Sequence, residues 1–250
     1  MPTLSVVIPA HNEEGHLEET VLAFHEELTK ARITHEILVI NDNSRDQTEK
    51  ILKRLSAGNN GIRYLNNPPP NGFGFAVRKG LENFSGDCVA IVMADRSDSP
   101  EDLVKFFRKY MEGYDCVFGS RFTKGGGTIN YPLFKFLLNR FTNLIIKMLF
   151  GIKYNDVTNA FKLYSRETIQ GLKPFLSHHF NLTVELPLKA IVRGYSYTVV
   201  PNYWTNREEG ESKLKIKEMG SRYFFIILYC LLEKWLSRGD YKKSLENPDH

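Results

Sequence analysis

The 250-residue chain is long enough to bury a full core, as one large domain or one domain with an appendage, and its 42% hydrophobic and 25% charged residues are ordinary for a globular protein. A net charge of +4 is too mild to mark a nucleic-acid binder, so the placement of basic residues matters more than their excess. No window offers the roughly 20 uninterrupted apolar residues of a spanning helix, and Cys88, Cys116 and Cys230 are isolated, without metal spacing, as expected of reduced core thiols in a cytoplasmic protein.

Leu4 to Ile8 reads as a short apolar strand ended by Pro9, and the opening lacks the basic leader and long apolar run of a signal peptide. A polar turn, His11 to Gly15, precedes a helix whose apolar face is Leu17, Val21, Phe24 and Leu28. Ile37 to Ile40 forms a second buried strand running into Asn41–Asp42–Asn43–Ser44, then a helix with Ile51, Leu52 and Leu55. Ile62 to Leu65 is a weaker third strand, and the glycine-spaced run from Asn71 to Ala76 opens a helix through Gly80.

The stretch from Val89 to Pro100 organises the whole. A strand over 88–94 without alternation suits the middle of a parallel sheet, covered on both faces. It runs into Asp95 and Asp98, then a helix start in which Ser99 caps, Pro100 takes the first turn and Asp102 completes an approximate capping box. Two acids so tethered can hold a hard cation such as Mg²⁺ or Mn²⁺ together with substrate phosphates; each also reads as a turn former. A helix at about 100–112 and a fifth strand from Asp115 to Gly119 follow. Strands alternating with helices predict an α/β fold with a mostly parallel sheet. The polar loops after the first, second, fourth and fifth strands (Asn12 and Glu14, Asp42 and Ser44, Asp95 and Asp98, Ser120 and Arg121) then converge on one sheet edge.

The second half changes character. Lys124–Gly127 reads as a flexible segment with amides free for an anion, or as a plain mobile loop. Pro132 to Phe150 is a helix rich in Leu, Ile and Phe whose only charges are Lys135, Arg140 and Lys147, the pattern of a helix lying in a bilayer interface or of a buried helix with snorkelling cations. Asp156 lies on a turn before an apparent strand, Ala160–Tyr164, and Glu185 is a buried acid that needs a partner. Arg207 and Lys213 are placed to reach phosphates, with solvated surface charge as their plain alternative. Tyr223 to Trp235 is a second apolar helix, preceded by Lys213, Lys215, Lys217 and Arg222, suited to an anionic membrane surface or to packing on the core or a membrane partner.

Several motifs, in order, carry a resemblance: Ser5-Val-Val-Ile-Pro-Ala-His-Asn-Glu-Glu14, Val39-Ile-Asn-Asp-Asn-Ser44, Met93-Ala-Asp95, Gly119-Ser-Arg121, Asp156-Val-Thr-Asn-Ala-Phe-Lys162, Glu185 and Arg207-Glu-Glu-Gly-Glu-Ser-Lys213. From about Leu4 to Lys217 the chain resembles glycosyltransferase family 2, in its dolichyl- or polyprenyl-phosphate mannosyltransferase branch. The resemblance implies a GT-A fold over 1–217, a span that includes the interfacial helix at about 132–150; beyond it the residues themselves predict a C-terminal interfacial helix over 218–238 and a polar tail over 239–250. It implies a nucleotide-sugar donor with Pro9, Ala10, Asn12 and Glu14 lining the nucleoside, Asp42 on the base and Asp95 on a diphosphate-bridging Mg²⁺ or Mn²⁺. Asp156 then lies near the sugar and acceptor, and Glu185 either contacts the sugar or pairs with a nearby Arg or Lys. The family's first acid of Asp-x-Asp is Met93 here, which cannot ligate a hard cation; Asp98 is the other nearby carboxylate.

The expected activity is inverting transfer of one sugar to a polyprenyl or dolichyl phosphate, by a protein peripheral to the inner face of the membrane, with a small membrane-protein partner possible and no nucleic acid. Arg121, Arg207 and Lys213 are its candidate phosphate-handling residues. Two other readings stand beside it. One is transfer to a hydroxyl acceptor, for which Asp156 is the only evident base. The other is a catalytically weak nucleotide-binding subunit, which Met93 keeps open.

Overall fold

The computed structural model describes residues 2–206 and 216–243. In chain order its elements are β1 (Leu4–Ala10), α1 (Leu17–Lys30), β2 (His35–Asn41), α2 (Thr48–Gly58), β3 (Ile62–Asn66), α3 (Phe73–Asn83), β4 (Cys88–Ile91), α4 (Pro100–Met111), β5 (Cys116–Ser120), β6 (Gly127–Ile129), α5 (Leu133–Phe150), β7 (Lys162–Ser165), α6 (Arg166–Gly171), α7 (Leu182–Val192), β8 (Tyr197–Pro201), β9 (Tyr203–Thr205) and α8 (Ile216–Leu236). A seven-stranded sheet runs β3-β2-β1-β4-β7-β5-β8, parallel throughout except for β7, which is antiparallel to both neighbours. Strands β6 and β9 pair as a small second sheet.

Both faces of the sheet are covered, which is why β1, β2 and β4 are apolar without alternation. Val6, Ile8, Val39 and Ala90 pack with Phe24, Leu52 and Phe106 from α1, α2 and α4. Val7, Leu38, Val89 and Ile91 pack on the other face with α3, α7 and α8. Gly80 lets α3 lie directly on β1: a β-carbon there would stand 2.3 Å from Val7 Cγ1. The three cysteines are buried, free thiols.

Several element boundaries differ from expectation, three of them instructively. Strand β1 continues through Pro9 to Ala10, because β4 pairs with it only as far as Val7 and so claims no amide from Pro9. Strand β4 ends at Ile91 rather than at residue 94, where the chain turns to deliver its acids. The strand expected at 160–164 is β7, shifted to Lys162–Ser165.

The glycine run at 125–127 is neither a free anion nest nor a plain mobile loop. The Gly126 and Gly127 amides donate to Thr123 and Asn202 carbonyls, and a β-carbon on Gly126 would meet Ser120 O at 2.4 Å. The glycines permit close approach of two backbones.

Helices α5 and α8 neighbour each other: Lys234 Nζ of α8 donates to the Phe150 carbonyl that ends α5. Only Asn143, Ile146 and Phe150 of α5 are buried. Leu133, Phe134, Leu137, Phe141, Leu144 and Met148 are each more than half exposed, as are Phe224, Phe225, Trp235 and Leu236 on α8. Among the described residues no helix is long and apolar enough to cross a membrane.

Candidate functional site

Strand order reverses between β1 and β4, and the carboxyl ends beside that point are where an open α/β sheet receives a ligand. On one side lies Asp42, at the end of β2 and 5% exposed. Its Oδ1 accepts from Asn67 Nδ2 (2.7 Å) and Asn71 Nδ2 (3.1 Å), and its Oδ2 from the Gly72 amide (2.8 Å). Asn67, Asn71 and Gly72 thus join Asp42 in the candidate site, although Asn71–Gly72 reads in the sequence only as the opening of a helix. Gly74 is needed next to them: a β-carbon would stand 2.3 Å from the backbone of His178, in the loop before α7.

Pro9 and Ala10 are buried strand residues, and the Ala10 carbonyl accepts from the Asp42 amide. Asn12 and Glu14 are exposed and tie this turn to the loop after β2. Asn12 N donates to Ser44 Oγ, and Asn12 Oδ1 accepts from the Arg45 amide. Glu14 N donates to Asp46 Oδ2, while Glu14 Oε2 accepts from Gln47 N. The first two strand-end loops are therefore one hydrogen-bonded unit.

The loop after β4 carries the acid pair. Ser99 Oγ accepts from Asp102 N and Pro100 opens α4, as expected. Asp102 does not close a capping box; it accepts from Lys105 Nζ and from the Tyr203 amide, fixing β9 to this loop. Asp95 is half-buried and accepts from Ser97 N. Asp98 is 5% exposed, and its Oδ2 accepts from the Met93 amide at 3.0 Å. Met93, which the resemblance sets at the position of a ligating acid, thus meets Asp98 through its backbone amide. Burial pushes the Asp98 carboxyl up to about 7, and the neighbouring Asp95 and Asp102 charges add to that, against the Met93 hydrogen bond.

An acid held so far from ionisation beside a second carboxylate is a place where a cation would be accepted. Ser97 Oγ, buried there without a hydrogen-bond partner among the described residues, adds an oxygen. Among the described residues no third acid, histidine or cysteine joins Asp95 and Asp98. The donor set therefore fits a hard cation that takes its remaining ligands from water and substrate oxygens.

Arg121 and Asp156, 35 residues apart, meet across the end of β5. Nε and Nη2 of Arg121 donate to Asp156 at 2.9 and 2.6 Å, and the Arg121 amide donates to the same carboxylate. Asp156 is fully buried and Arg121 is 7% exposed. Burial disfavours the guanidinium's charge, but Asp156 more than offsets it and holds Arg121 above its ordinary value. Two of five guanidinium N–H groups are committed to Asp156. The guanidinium also lies over the rings of Phe122 and Tyr131, at 5.2 and 5.8 Å from their centroids. The start of α5 abuts this cluster: Phe136 packs on Phe122 and Tyr131, and Asn139 and Asn143 bond Thr158 in the Asp156 turn.

Glu185 lies apart from these groups, in α7. It pairs with Lys189 at 2.6 Å, both side chains fully buried, and accepts from the Leu176 and Ser177 amides. Of its two expected roles, the structure gives the ion pair. Arg207 and Lys213 lie outside the described residues.

The glycosyl transferase family 2 profile matches residues 5–172. The polyprenol monophosphomannose synthase of Mycolicibacterium smegmatis is 29% identical over 215 residues, 84% of this chain and 80% of that protein. An uncharacterized glycosyltransferase of Synechocystis is 34% identical over 170 residues, 68% of this chain; the match spans about half (52%) of that protein's length. Among solved structures, glucosyl-3-phosphoglycerate synthase from Mycobacterium tuberculosis, in complex with Mn²⁺, UDP and phosphoglyceric acid, superposes with a TM-score of 0.69 at 19% identity, covering 93% of this chain and 78% of that one. The same enzyme with Mg²⁺ and UDP gives 0.66 at 21% identity, over 93% and 79% of the two chains. With the switch-point acids, the loops after β1 and β2 and the matched profile in agreement, the chain belongs to glycosyl transferase family 2 and is a glycosyltransferase with the GT-A fold.

Proposed function

We propose that the protein transfers one sugar, with inversion, from a nucleotide-sugar to a polyprenyl or dolichyl phosphate at the inner face of a membrane. The observation that carries this reading is a juxtaposition. Helix α5 exposes a long apolar face with basic residues and no acid, and its first turns pack on the Arg121–Asp156 cluster at the acid-bearing sheet edge. An interfacial helix so placed would bring a lipid phosphate beside the donor. The mannose synthase named above supports the same acceptor class.

In this reading Asp42 and its amide partners receive the base, and the Pro9–Glu14 turn lines the nucleoside. Asp95 and Asp98 would hold Mg²⁺ or Mn²⁺, which when bound supplies positive charge to the donor diphosphate. Arg121 keeps three N–H groups for the acceptor phosphate, and Arg207 and Lys213 add charge for phosphates. Asp156 acts by orienting Arg121 rather than by touching sugar. A phosphate monoester is ionised near neutral pH, so its oxygen attacks the anomeric carbon as the bond to the diphosphate breaks, and no general base is required. That suits Asp156, whose carboxylate is engaged by three hydrogen bonds from Arg121. This commitment of Asp156 to Arg121 counts against the hydroxyl-acceptor reading, for which Asp156 is the only evident base.

The test is incubation with radiolabelled GDP- and UDP-hexoses, polyprenyl phosphate in vesicles and Mn²⁺, followed by extraction of the lipid. Label in the lipid phase from one donor supports the proposal. Donor binding by calorimetry without any lipid product overturns the acceptor, and donor binding with no transfer to any acceptor favours the catalytically weak nucleotide-binding subunit.

A further inference from the structure

Lys162 begins β7, in the middle of the sheet, and is 1% exposed. Its ammonium makes no ion pair among the described residues; Nζ donates to two carbonyls, Val157 at 3.0 Å and Thr183 at 3.2 Å. Each acceptor is informative. Val157 follows Asp156 in the turn that presents that carboxylate to Arg121. The Thr183 carbonyl is free because Pro187, four residues later in α7, has no N–H to claim it. Lys162 thus staples the Asp156 turn to the start of α7.

We propose that Lys162 is a positioning residue for acceptor phosphate: it fixes the Asp156 turn, and through it Arg121, and its charge adds positive potential beneath that site. The inference rests on the reading that Arg121 receives a phosphate. The charged and titratable groups facing Lys162 are Asp156 in the turn, Arg121 after β5 and Asp98 in the loop after β4; from α8, Tyr223 hydrogen-bonds Thr183. Burial lowers the lysine to about 7, with Arg121 acting in the same direction and both aspartates opposing. A neutral amine still has two N–H groups, enough for both carbonyls. Deprotonation therefore removes the charge without releasing the turn, and this separates an electrostatic role from a purely structural one.

The experiment compares the wild-type enzyme with Lys162→Arg and Lys162→Met. Donor affinity is measured by calorimetry, and kcat and KM for polyprenyl phosphate in vesicles are measured from pH 6 to pH 9. Wild-type kcat/KM should fall above about pH 7 as the lysine loses its proton, and Lys162→Arg, charged throughout, should lack that fall. Lys162→Met should lose roughly 10–100-fold in kcat/KM for the acceptor, the usual scale for removing a positioning partner, with donor affinity little changed. Lys162→Met matching wild type, or Lys162→Arg keeping the alkaline fall, overturns the inference while leaving the proposed function intact. If Lys162→Met does not fold, the Lys162→Arg profile decides. A wild-type enzyme that binds donor but transfers nothing to lipid phosphate overturns both.

Discussion

The first 120 residues and the remainder of the chain are built to different rules. In the first part, strands are short, apolar and parallel, and polar residues collect at their carboxyl ends, where Asp42, Asp95 and Asp98 stand on rigid supports. In the second part, polar groups are sealed inside as pairs, Arg121–Asp156, Glu185–Lys189 and Arg193–Glu233, while the apolar residues of α5 and α8 face outward. The normal arrangement of inside and outside is partly inverted. The difference teaches that one region gathers polar groups at an open sheet edge, where the proposed donor would sit, while the other seals its polar groups inside and turns apolar faces outward, where the proposed membrane contact would form.

The sharpest way to break this contrast is at the buried pair. Asp156→Ala leaves the Arg121 guanidinium buried without its counter-charge, so it should cost about 3–5 kcal/mol of stability, read as a shift in the urea midpoint. A change under about 1 kcal/mol would mean that the pair is not structurally committed. Asp95→Ala should behave in the opposite way, with melting nearly unchanged but transfer reduced by about 10²–10³, the scale of losing one preorganised electrostatic group at a reacting centre. On the outward faces, Phe141→Ser should weaken binding to anionic vesicles by about 1.5–3 kcal/mol, the value of one large apolar side chain leaving water, while calorimetric donor affinity stays constant. The smallest effect belongs to Arg54→Ala, which breaks the exposed pair with Glu18. It should change stability by less than about 1 kcal/mol, which would separate ordinary surface charges from those at the sheet edge.

Much of the first region was legible in the sequence because its signals are local. Apolar runs gave the strands, Ser99–Pro100 gave the start of α4, and acids following strands gave the edge. The errors there came from pairing. Pro9 reads as a strand end until its neighbour is known, and β4 looks longer than its hydrogen bonds. The second region was less legible because its meaning lies in contacts between distant residues. Nothing local shows that Asp156 grips Arg121, that Asp102 reaches β9, or that Pro187 frees a carbonyl for Lys162. Glu185 reads as a buried acid needing a partner, but periodicity alone does not choose Lys189, one turn away. The spacing of Gly72, Gly74 and Gly80 marked a helix start correctly and concealed its purpose, which is to let α3 lie against the His178 loop and β1.

The most direct test is a competition between acceptors. The enzyme, with Mn²⁺ and the donor it binds, would be offered polyprenyl phosphate in vesicles and 3-phosphoglycerate in solution, and both products quantified from the same reaction. The arrangement of α5 beside Arg121 predicts that sugar appears on the lipid phosphate, and that Phe141→Ser lowers this product without diverting sugar to phosphoglycerate. Faster labelling of phosphoglycerate, with a lipid product insensitive to the apolar face, would contradict the account.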